Sequence, residues 1–142
     1  MSTYADSSFV VPLYALDVHS AEARRRMSTR PLLWQTPLHR AEVAHSLHRQ
    51  AFRARISADD AALAWSDFER DCARGIWLPV DLPARTWETS IDLARRHGPV
   101  LGVRTLDSLH VACALELRAL KFWTFDERQA RLAEAVGLDT TP

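Results

Sequence analysis

Lys121-Phe122-Trp123-Thr124-Phe125-Asp126-Glu127-Arg128-Gln129 is the stretch on which the reading of this chain turns. Lys121 to Thr124 reads as a short apolar strand. A helix from about Glu127 to Val136 follows almost at once and is stopped by Gly137. Asp126 stands where the strand hands over to the helix. If other segments repeat this step, strands alternate with helices and the sheet they form is parallel, with helices on its faces.

The same step recurs upstream. Thr3 to Ala5 is a strand candidate ending in Asp6-Ser7-Ser8, whose small polar residues cap a helix expected from about Phe9 to Leu16. Pro12 lies one turn into it and deletes a backbone hydrogen bond, so that helix should be short or kinked. A polar helix over about Ser20–Ser28 precedes the strand candidate at Pro31-Leu32-Leu33-Trp34-Gln35. A helix then opens at Thr36-Pro37, with Leu38, Ala41, Ala44 and Leu47 as its apolar stripe. Ser57 caps a helix to about Arg74, with Ala61, Ala64, Trp65 and Phe68 at helical spacing, and Gly75 ends it. Trp77 to Val80 is a third strand candidate. Pro83 should open a helix to about His97, followed by a loop at Gly98-Pro99. Thr105 starts a helix with the stripe Leu106, Leu109, Cys113 and Leu117. Leu138 is a candidate for a short edge strand.

The chain has 142 residues, 47% hydrophobic and 25% charged, which suits a single domain spanning 1–142. Its 18 Lys and Arg balance 18 Asp and Glu, so any nucleic-acid surface must come from local clustering of charge. The longest uncharged apolar run, Phe9 to Leu16, is too short to cross a bilayer, and no basic segment leads into an apolar one near the start. A soluble, cytoplasmic protein with no membrane partner is expected. Cys72 and Cys113 both fall in helical patterns among apolar residues without metal-ligand spacing, and read as reduced core residues.

Sites in parallel α/β sheets collect at the carboxyl ends of the strands. Asp6 and Asp126 each follow a strand there, Asp107 lies near the start of its helix, and Glu42 lies about two turns into its own. Carboxylates held within a few ångströms repel by roughly 1 kcal/mol per pair even in water, and a divalent cation relieves this. Mg²⁺ and Mn²⁺ favour oxygen ligands, retain water and support metal-assisted phosphodiester hydrolysis. Plainer roles stand beside these. Asp6 could cap the first helix, Asp126 with Gln129 fits a capping box, and Asp107 suits the positive end of a helix. Glu42 is one turn from Leu38 among core-facing positions and needs a partner or a metal.

Taken together, four blocks resemble the PIN domains, and especially the VapC-like toxins of toxin–antitoxin pairs. They are Tyr4-Ala5-Asp6-Ser7-Ser8, Thr36-Pro37-Leu38-His39-Arg40-Ala41-Glu42, Arg104-Thr105-Leu106-Asp107-Ser108-Leu109-His110-Val111-Ala112, and Phe122-Trp123-Thr124-Phe125-Asp126-Glu127-Arg128-Gln129. No single block is specific; their order and separation carry the resemblance. It implies a PIN-like three-layer α/β/α sandwich with a central parallel sheet of about four to five strands. It also implies a Mg²⁺- or Mn²⁺-dependent endoribonuclease, an RNA substrate, a homodimer, and a cognate antitoxin that covers the site. Asp6, Glu42 and Asp107 would be the main metal-binding acids, with Asp126 holding metal-bound water or a second ion. Ser7 and Thr124 would orient carboxylates, and Arg104 would pair with a site acid or the scissile phosphate.

Two rival readings remain. Glu42-x-x-His45 and Asp107-x-x-His110 have the spacing of a di-metal helical bundle, although such a bundle leaves Asp6, Asp126 and the strands beside them unexplained. A catalytically silent module that grips RNA or a protein would have no reason to keep mutually repelling acids. Trp65 and Phe68 could line a dimer or antitoxin groove. Arg24-Arg25-Arg26, the group Arg49, Arg53 and Arg55, and Arg95-Arg96 are candidates for phosphate contact, or simply solvated helix faces.

Overall fold

The computed structural model describes residues 2–142. Its contacts divide the chain into two compact units, one made of the chain through Asp6 and Leu82–Pro142, the other of Ser7–Asp81. Among the described residues the two units carry four strands of a parallel α/β sheet and seven α-helices. The alternation expected from the sequence is therefore present. The helical-bundle reading is not, because the strands it left unexplained are paired.

In the first unit, β1 (Thr3–Ala5) pairs in parallel with β4 (Lys121–Trp123), Tyr4 opposite Phe122 and Ala5 opposite Trp123. Every residue of β1 is buried, as expected of a strand covered on both faces. Leu138 does not begin a full strand; only an isolated parallel bridge joins Asp139 to Lys121. Three helices complete the unit: α5 (Thr86–Leu101), α6 (Thr105–Glu116) and α7 (Glu127–Ala135), with α6 packed against both others.

Helix α5 departs from expectation at both ends. Pro83 makes a turn, its carbonyl accepting from Thr86 N at 2.9 Å, and the helix begins after it. At the other end the helix runs through Gly98-Pro99 rather than breaking there. A proline inside a helix removes one hydrogen bond and crowds the residue before it; here that residue is a glycine with no side chain to clash. The helix stops at Gly102, whose left-handed φ of 63° and N–H bond to the Gly98 carbonyl close its last turn.

Helix α6 also differs from its expected stripe. Asp107 through Ala114 are all buried, including Ser108 and His110, whereas Leu106 is exposed. Its interior is closed by a polar chain: the Tyr4 hydroxyl and His110 Nδ1 share a hydrogen bond of 2.8 Å, and Tyr4 also bonds the Cys113 thiol.

In the second unit, α1 (Ser7–Val10) passes into a 3-10 turn, Val11–Leu13, that contains Pro12. The short first helix follows from the missing proline N–H. After α2 (Ser20–Met27), β2 (Leu33–Gln35) pairs in parallel with β3 (Trp77–Pro79), and α3 (Pro37–Phe52) packs on α4 (Ala58–Ala73). Capping boxes start both long helices, Thr36 with His39 and Ser57 with Asp60. The Tyr14 hydroxyl donates to Asp71 Oδ2 at 2.6 Å and accepts from Trp77 Nε1 at 2.8 Å. Phe68 is fully buried, and Trp65 lies half-buried against it under the Arg40 guanidinium. The pair is thus engaged within the unit, with part of Trp65 still open to solvent. Cys113 is buried as expected, but Cys72 is partly exposed.

Candidate active site

Three of the four predicted acids belong to the first unit, and the β1–β4 ladder accounts for two of them. Asp6 N donates to the Trp123 carbonyl at 3.1 Å, so Asp6 is the first residue past the carboxyl end of β1. It is only 4% exposed. Across the ladder, Thr124 leaves the end of β4, and its hydroxyl accepts from Asp126 N at 3.0 Å. Asp126 then caps α7, its Oδ1 accepting from Gln129 N at 3.0 Å. The capping role read from the sequence is realised, and Asp126 Oδ2 remains outside that cap. Thr124 acts on the Asp126 backbone, which sets where the carboxylate starts.

Asp107 stands in the first turn of α6, where the helix's positive end favours a carboxylate. It is 9% exposed, and its Oδ2 is buried without a hydrogen bond. The nearest cation is Arg104 Nε at 3.6 Å, on a side chain 69% exposed. A screened pair of that length offsets little of the cost of burying the oxygen.

Gln129 is not among the site residues that the sequence marks, and it ties these parts together. Its side chain is buried; Nε2 donates to the Asp107 backbone carbonyl at 3.3 Å, and Oε1 accepts from the Thr124 hydroxyl at 3.2 Å. In a capping box the third helical side chain would turn back to the cap N–H. Thr124 takes that N–H here, which frees the Gln129 amide to reach α6. The available signal is an amide on the same helical face as Leu132 and Ala133, both buried.

Glu42 and Ser7 belong to the second unit. Glu42 is half-buried in the second turn of α3, and Ser7 opens α1. The histidines near the acids are otherwise occupied. His45 and His48 are exposed and donate to the Ala41 and Ala44 carbonyls at 2.8 Å, while His110 faces Tyr4. Among the described residues, no group of three or more His, Cys, Asp or Glu side chains converges to hold a metal ion. The donor chemistry nonetheless fits a hard cation: the acids offer oxygen only, and the orphaned Asp107 Oδ2 is a buried anionic atom that lacks a hydrogen bond. Of the basic runs, Arg25 and Arg26 both bind Glu22 at 2.7 Å, and those bonds hold its carboxyl down at about 2.

The sequence profile of the PIN domain matches residues 3–135. Two solved structures share the fold along nearly the whole chain. One is Mycobacterium tuberculosis VapC20, described as a sarcin-ricin loop cleaving toxin, with a TM-score of 0.73 at 17% identity over 99% of this chain and 100% of that one. The other is VapBC2 from Rickettsia felis, bound to a DNA fragment from its promoter, with a TM-score of 0.67 at 12% identity over 99% and 98%. No curated protein sequence is a significant match.

Proposed function

The chain belongs to the PIN-domain family, and on that premise we propose that it is a metal-dependent endoribonuclease, the toxin of a toxin–antitoxin pair. The observation that carries the reading is the buried, unbonded Oδ2 of Asp107, on a helix tied by Gln129 to the end of β4. Structural roles explain caps and ion pairs, but they give no reason to bury a carboxylate oxygen without a hydrogen bond.

Asp6, Glu42, Asp107 and Asp126 are the residues that would hold Mg²⁺ or Mn²⁺. Bound there, the ion would offset their mutual repulsion, acidify a water and counter charge developing on the phosphate. The residues themselves supply placement. Gln129 and Thr124 set Asp107 and Asp126, and Arg104 is positioned either to pair with Asp107 or to meet the scissile phosphate. Ser7, one residue past Asp6, is assigned to orienting that carboxylate. Water is the nucleophile, with no covalent enzyme intermediate.

The family match spans both units, which supports reading 1–142 as one domain. We further assign a homodimer, a cytoplasmic location and a cognate antitoxin as partner. No helix among the described residues is long and apolar enough to cross a membrane. The Mycobacterium tuberculosis structure, described as a sarcin-ricin loop cleaving toxin, puts that loop among the first substrates to try.

A mixed RNA pool incubated with Mg²⁺, with Mn²⁺ and with chelator tests the reading, comparing wild type with Asp6→Asn. Metal-dependent cutting that disappears in the folded variant is expected. The alternative is a catalytically silent binding module, and no cutting by antitoxin-free wild type in any buffer would establish it instead.

A further inference from the structure

A cavity of about 430 Å³ opens beside Asp126 in the first unit, lined among others by Arg104, Phe125, Glu127, Arg128 and Arg131. We propose that it is a subsite for an RNA phosphate flanking the scissile one, with Arg128 and Arg131 as its anion-binding groups. The proposal rests on the endoribonuclease reading and names where its substrate is gripped.

The argument begins with charge. Three guanidiniums and two carboxylates line the cavity, an excess of positive charge in a chain that is neutral overall. Arg128 and Arg131 are three residues apart on α7 and so share a face, while Arg104 comes from the start of α6. Cations arriving from two helices form a concave cluster, unlike the single stripe of a solvated helix face.

Their partners, or lack of them, add to this. Arg25, Arg26, Arg40 and Arg70 each bind a carboxylate at 2.7 or 2.8 Å. Among the described residues, neither Arg128 nor Arg131 has an ion-pair or hydrogen-bond partner for its guanidinium, although Glu127 lines the same cavity. A guanidinium fork matches the oxygens of a phosphate, and the first turn of α7 adds the partial positive charge of a helix start. Phe125 also lines the cavity. Because Asp126 forms one wall, the cavity adjoins the acids that would hold the metal.

The test is the affinity of a short labelled single-stranded RNA across a salt series, in the Asp6→Asn background with Mg²⁺. Arg128→Ala with Arg131→Ala should weaken binding roughly tenfold at low salt and flatten the salt dependence by about 0.7 in log–log slope for each phosphate no longer neutralised. Arg128→Lys with Arg131→Lys should keep most of that slope, and Arg74→Ala, an exposed change just past α4 and outside the cavity, should match the parent. Thermal melting shows whether the variants are folded. Equal affinity and slope for the double alanine variant and its parent would overturn the subsite. So would loss of binding to a hexaglutamate peptide with RNA binding intact, which would make the cavity a dock for an acidic protein segment. These outcomes leave the cleavage assay untouched, so failure of the subsite and failure of the nuclease reading are told apart.

Discussion

The side-chain amide of Gln129 donates to the backbone carbonyl of Asp107 across 3.3 Å, while the Gln129 backbone N–H holds Asp126 Oδ1 at 3.0 Å. One buried residue thus connects two candidate metal-binding acids that are 19 positions apart in the chain. Gln129→Ala removes both hydrogen bonds of a buried side chain, to the Asp107 carbonyl and from the Thr124 hydroxyl, and leaves a void, which should cost about 1–3 kcal/mol in urea unfolding. Steady-state cleavage by the folded variant should lose kcat while KM changes little, because the carboxylates shift and the RNA-gripping surface does not. An unchanged kcat would reduce the connection to a purely structural one. Gln129→Glu should be worse than Ala, since it keeps the bulk, removes the donor and buries a charge.

Asp107→Asn should separate stability from activity. The buried Oδ2 has no hydrogen bond to lose, and Arg104 is exposed enough to be solvated without its partner. In chelator the variant should therefore unfold at the same urea concentration as wild type or a higher one, a gain of up to about 1 kcal/mol. Cleavage should fall roughly 100-fold or more, the equivalent of several kcal/mol of lost metal-assisted stabilisation. A marked loss of stability would show that the carboxylate serves the fold instead.

Burial pushes the Cys113 thiol from its ordinary 9.0 up to about 11. Between those values the unfolded chain has released a proton that the folded chain retains. The contribution of Cys113 is thus complete below pH 9 and is lost as pH rises towards 11, roughly 2–3 kcal/mol in all. Urea titrations at pH 8 and at pH 10.5 should show a smaller alkaline loss for Cys113→Ala than for wild type. Parallel losses in the two proteins would assign the effect to other groups.

In the second unit, Tyr14 joins Asp71 to Trp77 through two short hydrogen bonds. Burial, and the bond to Asp71, push the Tyr14 hydroxyl above its ordinary range. Tyr14→Phe leaves the Trp77 indole N–H and Asp71 without this shared partner and should destabilise the protein by about 1–3 kcal/mol. Tryptophan fluorescence followed through unfolding would show the shift in midpoint.

Local signals predict what is locally determined. Asp6 and Asp126 are legible at strand ends because each lies between a short apolar run and a helix start, and both positions depend on neighbours within a few residues. Helix α5 misleads where Gly98-Pro99 resembles a stop; the deciding features are a glycine that spares the proline its clash and a better terminator at Gly102. The expected stripe on α6 fails because Ser108 and His110 are buried by tertiary contacts, and the partner of His110 is 106 residues away. Gln129 escapes notice for the same reason. Its capping partner lies three residues back, whereas the carbonyl it reaches lies 22 residues back on another helix. The cation cluster at Arg104, Arg128 and Arg131 joins two helix starts, so no single run of basic residues announces it.

Helix α6 presents no solvent face between Asp107 and Ala114. Amide protons in such a segment exchange with water through the largest openings of a structure, since smaller fluctuations leave them covered. Asp107 stands at the head of that segment, just after the exposed residues Arg104 to Leu106. The carboxylate that most needs a partner is therefore carried at the head of a covered segment, so amide exchange of α6 should be unchanged when an ion or a substrate arrives if its geometry is set at folding.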